Sequence, residues 1–296
     1  MDELFQLLNT SPDGLILPLC WACVLLAIAG VGVGIASSIF GVGGGFLIVP
    51  LLYLLGLPFG LVTGTSICSI VGTTASGVVT HHREGNVCTR TMWILGIGAM
   101  IGGAGGKAVQ LAYETAYPVA SEWVLGIGCV LILLFLATLV YFKPHRPEGK
   151  SPLQRISLGW RVDLPTGGVE GVALLGLIGI GLCGGLMAGL FGLGGGAIFV
   201  PLMLLLVGMD MKRTVGTKLG VILMGAIATT AYSAWQGQVC LPLALSVLVG
   251  SGIGVQLGIR IVRILPEGSH RRGFAILIGS SALAMAAKLI YNAFAG

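Results

Sequence analysis

FGVGGGFLIVPLL, Phe40 to Leu52, returns 151 positions later as FGLGGGAIFVPLM, Phe191 to Met203. Three adjacent glycines and a proline are poor helix material. Each glycine costs up to about 1 kcal/mol relative to alanine, and proline removes an amide donor and crowds the preceding turn. Both copies nevertheless stand in strongly apolar surroundings. A helix broken twice in the same setting governs how the flanking sequence is read.

The chain has 296 residues, of which 55% are hydrophobic and 9% charged, with a mean hydropathy of +0.99. A soluble domain of this size carries roughly 25% charged residues. Apolar runs such as 124–142 and 239–259 reach the roughly 18 residues that a bilayer-spanning helix needs. Strand-like alternation is absent, so the sequence predicts an all-α, polytopic membrane protein. The start, MDELFQLLNTSPDG, is acidic and lacks a cleavage site, unlike a secretory leader. Seven cysteines lie mostly in apolar runs, where they act as small hydrophobes. The CxxC spacing of Cys20 and Cys23 has no βαβ context to make it a redox motif. No catalytic triad or HExxH pattern is present, so no enzyme is expected, and neither a cofactor nor a nucleic-acid partner is implied.

The repetition extends well beyond the glycines. Gly64-Thr65-Ser66 returns as Gly216-Thr217-Lys218, Cys88 as Cys240, and Gly98, Gly102 and Gly106 as Gly250, Gly254 and Gly258. Two membrane repeats are expected, 1–142 and 169–296, joined by a polar linker at 143–168. Each divides into five helical segments, about ten in all. In the first repeat they fall near 15–40, 46–57, 60–80, 91–113 and 121–142. In the second they fall near 169–191, 197–208, 213–235, 240–262 and 272–294. The second segment of each half rises only about 18 Å against a hydrocarbon core of about 30 Å, which suits a re-entrant arm after a Gly-broken helix.

Lys and Arg set the orientation. Thirteen of the sixteen gather at loops and span ends, from Arg83 and Arg90 through Lys143–Arg161 to Arg271 and Arg272. They share one side, the cytoplasm, if the amino terminus is periplasmic and each half crosses an odd number of times. Asp2, Glu3, Asp13, Glu114 and Glu122 then lie outside. An odd count inserts the second half upside down, the inverted-topology repeat of secondary transporters.

A glycine break followed by a short helix leaves amide N–H groups without intrahelical acceptors at the positive end of the helix dipole. Such an end suits an anion. Gly43, Gly44 and Gly45 with Gly194, Gly195 and Gly196 are therefore candidate ligands. The four-residue spacing of Gly98/Gly102/Gly106 and Gly250/Gly254/Gly258 reads instead as close helix packing. A charge at the bilayer centre costs about 2.5–3.5 kcal/mol even on the lenient insertion scale. Lys107 and Lys288 stand within two turns of span ends, from where they can snorkel. Lys218, in GTKLG at the repeat position of Ser66, joins Thr65, Ser66 and Thr217 as a candidate anion contact. No metal site is expected, the His81-His82 pair lacking further ligands. Thr73-Thr74 and Thr229-Thr230 either line a path or bond their own backbone.

With these motifs, FGVGGGFLIVPLL, GTSICSIV, FGLGGGAIFVPLM and GTKLGVIL, the chain resembles the sulfite exporter TauE/SafE family of bacterial membrane permeases. The resemblance spans nearly all of the chain outside the linker and the first dozen residues. It implies transport of sulfite or an organosulfonate across the inner membrane; export is the expected direction, since sulfite is toxic, arises in the cytosol and needs an exit. Read with the residues, it describes a secondary transporter or uniporter working by alternating access in a lipid bilayer. An anion channel, or a permease for another small anion such as a carboxylate, remains open at this stage, as does a homodimer.

Overall fold

The computed structural model describes residues 16–40, 44–142, 152–155, 160–164, 169–209, 211–262 and 267–295. The first five helices are α1 (Ile16–Phe40), α2 (Gly45–Leu54), α3 (Phe59–Arg83), α4 (Thr89–Ala116) and α5 (Pro118–Phe142). A short helix, α6 (Pro152–Arg155), and a hairpin of β1 (Arg161–Leu164) with β2 (Val169–Ala173) follow. The remaining helices are α7 (Leu174–Phe191), α8 (Gly196–Leu202) with its π turn (Met203–Val207), α9 (Met211–Trp235), α10 (Leu241–Val262) and α11 (Glu267–Ala295). Among the described residues, six helices are long and apolar enough to cross a membrane: α3, α4, α5, α7, α9 and α10. The protein is an all-α membrane protein with one small sheet at its linker.

The predicted segments match the helices closely, with three corrections. Residues 169–173 were expected to open a helix, yet they form β2, paired antiparallel with β1 through Val162 and Val172. The β-branched Val169 and Val172 favour a pleated partner, and the helix begins only at Leu174. The second short arm does not stay α-helical to its end, because Met203–Val207 widens into a π turn closed by Gly208 at φ 82°. This turn follows the helix that contains Pro201, where a missing donor interrupts the regular ladder. Glu114, expected in a loop, lies inside α4.

Close glycine-mediated crossings hold the long helices together. A side chain at Gly98 on α4 would meet the Ile178 carbonyl oxygen of α7 at 2.5 Å. Gly102 and Gly106 press likewise on Leu182 and Leu186. On the other side of the molecule, Gly250, Gly254 and Gly258 of α10 press on Ala27, Val31 and Ile35 of α1. The six glycines act as the spacing predicted, letting backbones approach where any Cβ would intrude. The second set is the first displaced by the offsets read in the sequence, 152 for α4 to α10 and 151 for α1 to α7.

The same reciprocity appears in the polar contacts. Thr65 Oγ1 accepts from the Cys240 N–H at 3.0 Å, and Thr217 Oγ1 accepts from the Cys88 N–H at 2.9 Å. Both hydroxyls are buried, and each satisfies an amide at the start of a helix in the other half. Thr65→Val and Thr217→Val should therefore each cost about 1 kcal/mol. Unfolding in detergent should show similar losses for the two, and a marked inequality would contradict the equivalence of these junctions.

Candidate functional site

The two glycine breaks touch. Gly44 precedes α2 at φ 78°, and Gly194 and Gly195 precede α8 at φ 70° and 69°, in the left-handed region where glycine carries no Cβ penalty. A side chain on Gly45 would meet the Leu193 carbonyl oxygen at 2.7 Å. The same hypothetical atom on Gly45 or Gly194 would meet Ile70 Cδ1 of α3, at 2.6 Å and 2.7 Å respectively. Ile70 is thus wedged between both turns. The Gly44 carbonyl accepts from Leu47 and Ile48, and that of Gly195 from Ile198 and Phe199. The amides ahead of these bonds lie at the positive helix ends. Gly196 opens α8 in a buried position. Gly43 lies outside the described residues.

The polar candidates divide by role. Ser66 Oγ donates to the Gly192 carbonyl at 2.9 Å, tying α3 to the second break. Thr65 and Thr217 sit at the two interlocking junctions described above. Lys218 on α9 is fully buried, and among the described residues its Nζ has no hydrogen-bond partner. The structure thus brings Gly44, Gly45 and Gly194 together and joins Ser66 to the second turn, while no described hydrogen bond links Lys218 to either turn. Thr73 and Thr74 donate to the Ile70 carbonyl at 3.0 and 2.7 Å, and Thr229 to that of Gly225 at 2.8 Å. These three hydroxyls are satisfied by their own helices.

A second buried ammonium behaves differently from the sequence expectation. Lys107 on α4 does not snorkel: it is fully buried. Its Nζ donates to the Gly60 carbonyl at 2.8 Å, to Thr63 Oγ1 at 2.8 Å and to Gln110 Oε1 at 3.1 Å. All three of its donors have acceptors. Gln110 Nε2 in turn donates to Glu114 Oε1 at 3.0 Å. A side chain at Gly60 would meet both Gln238 Oε1 and Glu114 Oε2 at 2.5 Å, so the loop between α9 and α10 closes over the same cluster. Sequence reasoning missed Thr63, Gln110 and Gln238. The spacing of Lys107, Gln110 and Glu114 on one helical face was the available signal. Lys288, by contrast, lies 5.7 Å over the Tyr291 ring, a cation–π contact near a helix end.

Among α3, α4, α7 and α9 lies a cavity of about 10 Å³, room for about one water. Ala99 and Gly103 of α4, Gly185 and Ala188 of α7, and Gly225 and Ala226 of α9 are among its small lining residues, together with Gly194 of the second break. Thr214, Lys218, Ile222, Gly225 and Thr229 share one face of α9 by helical spacing, and the last three line this cavity. On α4, Ala99 and Gly103 lead at the same spacing to Lys107. By helical spacing, small and polar residues lead from this cavity toward Lys218 along α9 and toward Lys107 along α4.

Six long apolar helices with two broken short arms define a multi-pass membrane protein. The comparisons with known proteins agree. Residues 26–285 match the family described as "Sulfite exporter TauE/SafE", and the chain belongs to that family. It is similar to the probable membrane transporter protein YdhB of Bacillus subtilis, with 25% identity over 236 residues covering 79% of this chain and 88% of that one. The probable membrane transporter protein YunE of the same organism is 27% identical over 250 residues, covering 81% and 88%. A probable membrane transporter protein of Haemophilus influenzae is 25% identical over 277 residues, covering 86% and 94%. No solved structure matches the chain.

Proposed function

We propose that the protein is a secondary transporter or uniporter that moves a sulfur oxyanion, sulfite or an organosulfonate, out across the bacterial inner membrane. The observation that carries this reading is the Lys218 side chain, fully buried and, among the described residues, without a partner for its Nζ. A bare charge in such a place is costly, and an anion is the partner that would offset it. The matching family description, sulfite exporter, supports a sulfur oxyanion as that anion.

The halves 1–142 and 169–296 act in this reading as inverted repeats about the touching glycine breaks, with 143–168 and the basic loops on the cytoplasmic side and the amino terminus in the periplasm. The contacts that recur at constant offset support that arrangement. Alternating access rocks one half against the other around the central cavity. The small size of this cavity, which has no room for a sulfur oxyanion, favours a carrier over a standing pore.

The test is a thermal-shift panel of sulfite, sulfate, thiosulfate, taurine, sulfoacetate, an aryl sulfonate and a simple carboxylate, followed by flux in liposomes. Stabilisation by a sulfur oxyanion together with saturable flux is expected. Stabilisation by the carboxylate alone would redirect the substrate assignment, and no response to any anion would remove the reading.

A further inference from the structure

Among the described residues four buried polar side-chain atoms lack a hydrogen-bond partner, and three of them gather at one end of the α3–α9 pair. They are Nδ1 of His81, Oγ1 of Thr214 and Nζ of Lys218. Thr214 and Lys218 stand one turn apart on α9, so they share a face. His81 approaches from the last turn of α3: a side chain at Gly216 would meet its Cβ at 3.2 Å, and it lies within electrostatic reach of the Lys218 ammonium. The three are graded from the surface inward. The His81 side chain is 29% exposed, whereas Thr214 and Lys218 are fully buried.

Buried polar groups in folded proteins are nearly always paired, so two unpaired ones a turn apart on α9, with a third on the neighbouring end of α3, call for a ligand. Its chemistry follows from the donor set. Lys218 offers only donors, and a threonine hydroxyl and an imidazole N–H add one each. The nearest carboxylate, Glu84, is occupied elsewhere: its Oε2 accepts from Asn86 Nδ2 at 3.0 Å and lies 3.7 Å from His81 Nδ1, beyond hydrogen-bond reach. What fits is a compact anion carrying several acceptor oxygens.

We infer that His81, Thr214 and Lys218 form an entry site for a small oxyanion, separate from the glycine breaks. From it the Ile222–Gly225–Thr229 face of α9 leads toward the central cavity. Lys218 supplies the charge, Thr214 orients one oxygen from inside, and His81 meets the ligand at the mouth. The inference rests on the transport reading above and adds to it two residues and a place.

The experiment titrates the full-length protein in detergent with sodium sulfite, and with sulfate as a second probe, following thermal stabilisation and calorimetric heat. Thr214→Val and His81→Gln should each raise Kd about tenfold, the usual size of one lost hydrogen bond to a charged ligand. Thr214→Ser, which keeps the hydroxyl, should restore the wild-type value. If the wild type binds while Thr214→Val and His81→Gln bind equally well, the entry site is wrong and the transport reading stands. If the wild type binds neither probe and shows no flux with any anion, both fall together.

Discussion

Lys218→Met should melt at or above the wild-type temperature and yet lose its response to sulfite. The two halves of this result have one cause. In the wild type the Lys218 amine is fully buried with no acceptor among the described residues, so the folded protein bears the desolvation cost of an unpaired polar group. Replacing such a group with an apolar side chain of similar length removes that cost, and substitutions of this kind are neutral or stabilising by about 1–4 kcal/mol. The same substitution removes the charge-assisted contact to the ligand, whose loss lowers affinity by at least tenfold. Thermal melting with and without sulfite, and flux in liposomes, read both effects. Sulfite-dependent stabilisation that survives in Lys218→Met would overturn the assignment of this residue.

Lys107→Met should behave in the opposite way, losing about 3 kcal/mol of stability. The two lysines share burial and helical setting but differ in company. Lys107 Nζ meets three acceptors, the Gly60 carbonyl, Thr63 Oγ1 and Gln110 Oε1. Removing it takes a donor from each and leaves the single Thr63 O–H to serve both the Gly60 carbonyl and Gln110 Oε1, so at least one buried acceptor goes short of a partner. The damage should spread to the α9–α10 loop, because Gln238 packs over the same cluster at Gly60. Glu114→Gln is the milder counterpart, since its amide oxygen can still accept from Gln110 Nε2. Chemical unfolding in detergent, with protease cleavage near Gln238 as a local probe, measures both. A Lys107→Met protein as stable as the wild type would show that the cluster contributes nothing to holding that end closed.

Much of this was legible in the sequence because apolar runs, glycine breaks and repetition are local signals. The doubled GGG motif marks the short arms, and the four-residue glycine spacing marks two close helix crossings, whose partners α7 and α1 are visible only in the structure. The misreadings have a common origin in long-range contacts. Val169–Ala173 adjoins an apolar run and reads as helix from the sequence, because its pairing with Arg161–Leu164 across a turn is invisible to a helical window. Lys107 was read as snorkelling because its distance from a span end is visible, whereas the carbonyl of Gly60 turned toward it is not. Thr65 and Thr217 were recognised as polar and matched. Their use as acceptors for Cys240 and Cys88 depends on a residue 175 or 129 positions away. The unsatisfied state of Thr214 and His81 is likewise a property of packing, which no spacing reveals.

The exchange of hydroxyl for amide between Thr65 and Cys240, and between Thr217 and Cys88, carries an evolutionary consequence. On the proposed inverted arrangement each half borrows a hydroxyl from the other for one helix-start amide, so a progenitor of half the present length would need a sister molecule threaded the other way through the bilayer. On the proposed arrangement, fusion of the two genes preserved a pairing that had to exist before it. Co-expressed fragments severed within the linker should for that reason find one another, while either fragment alone should be degraded.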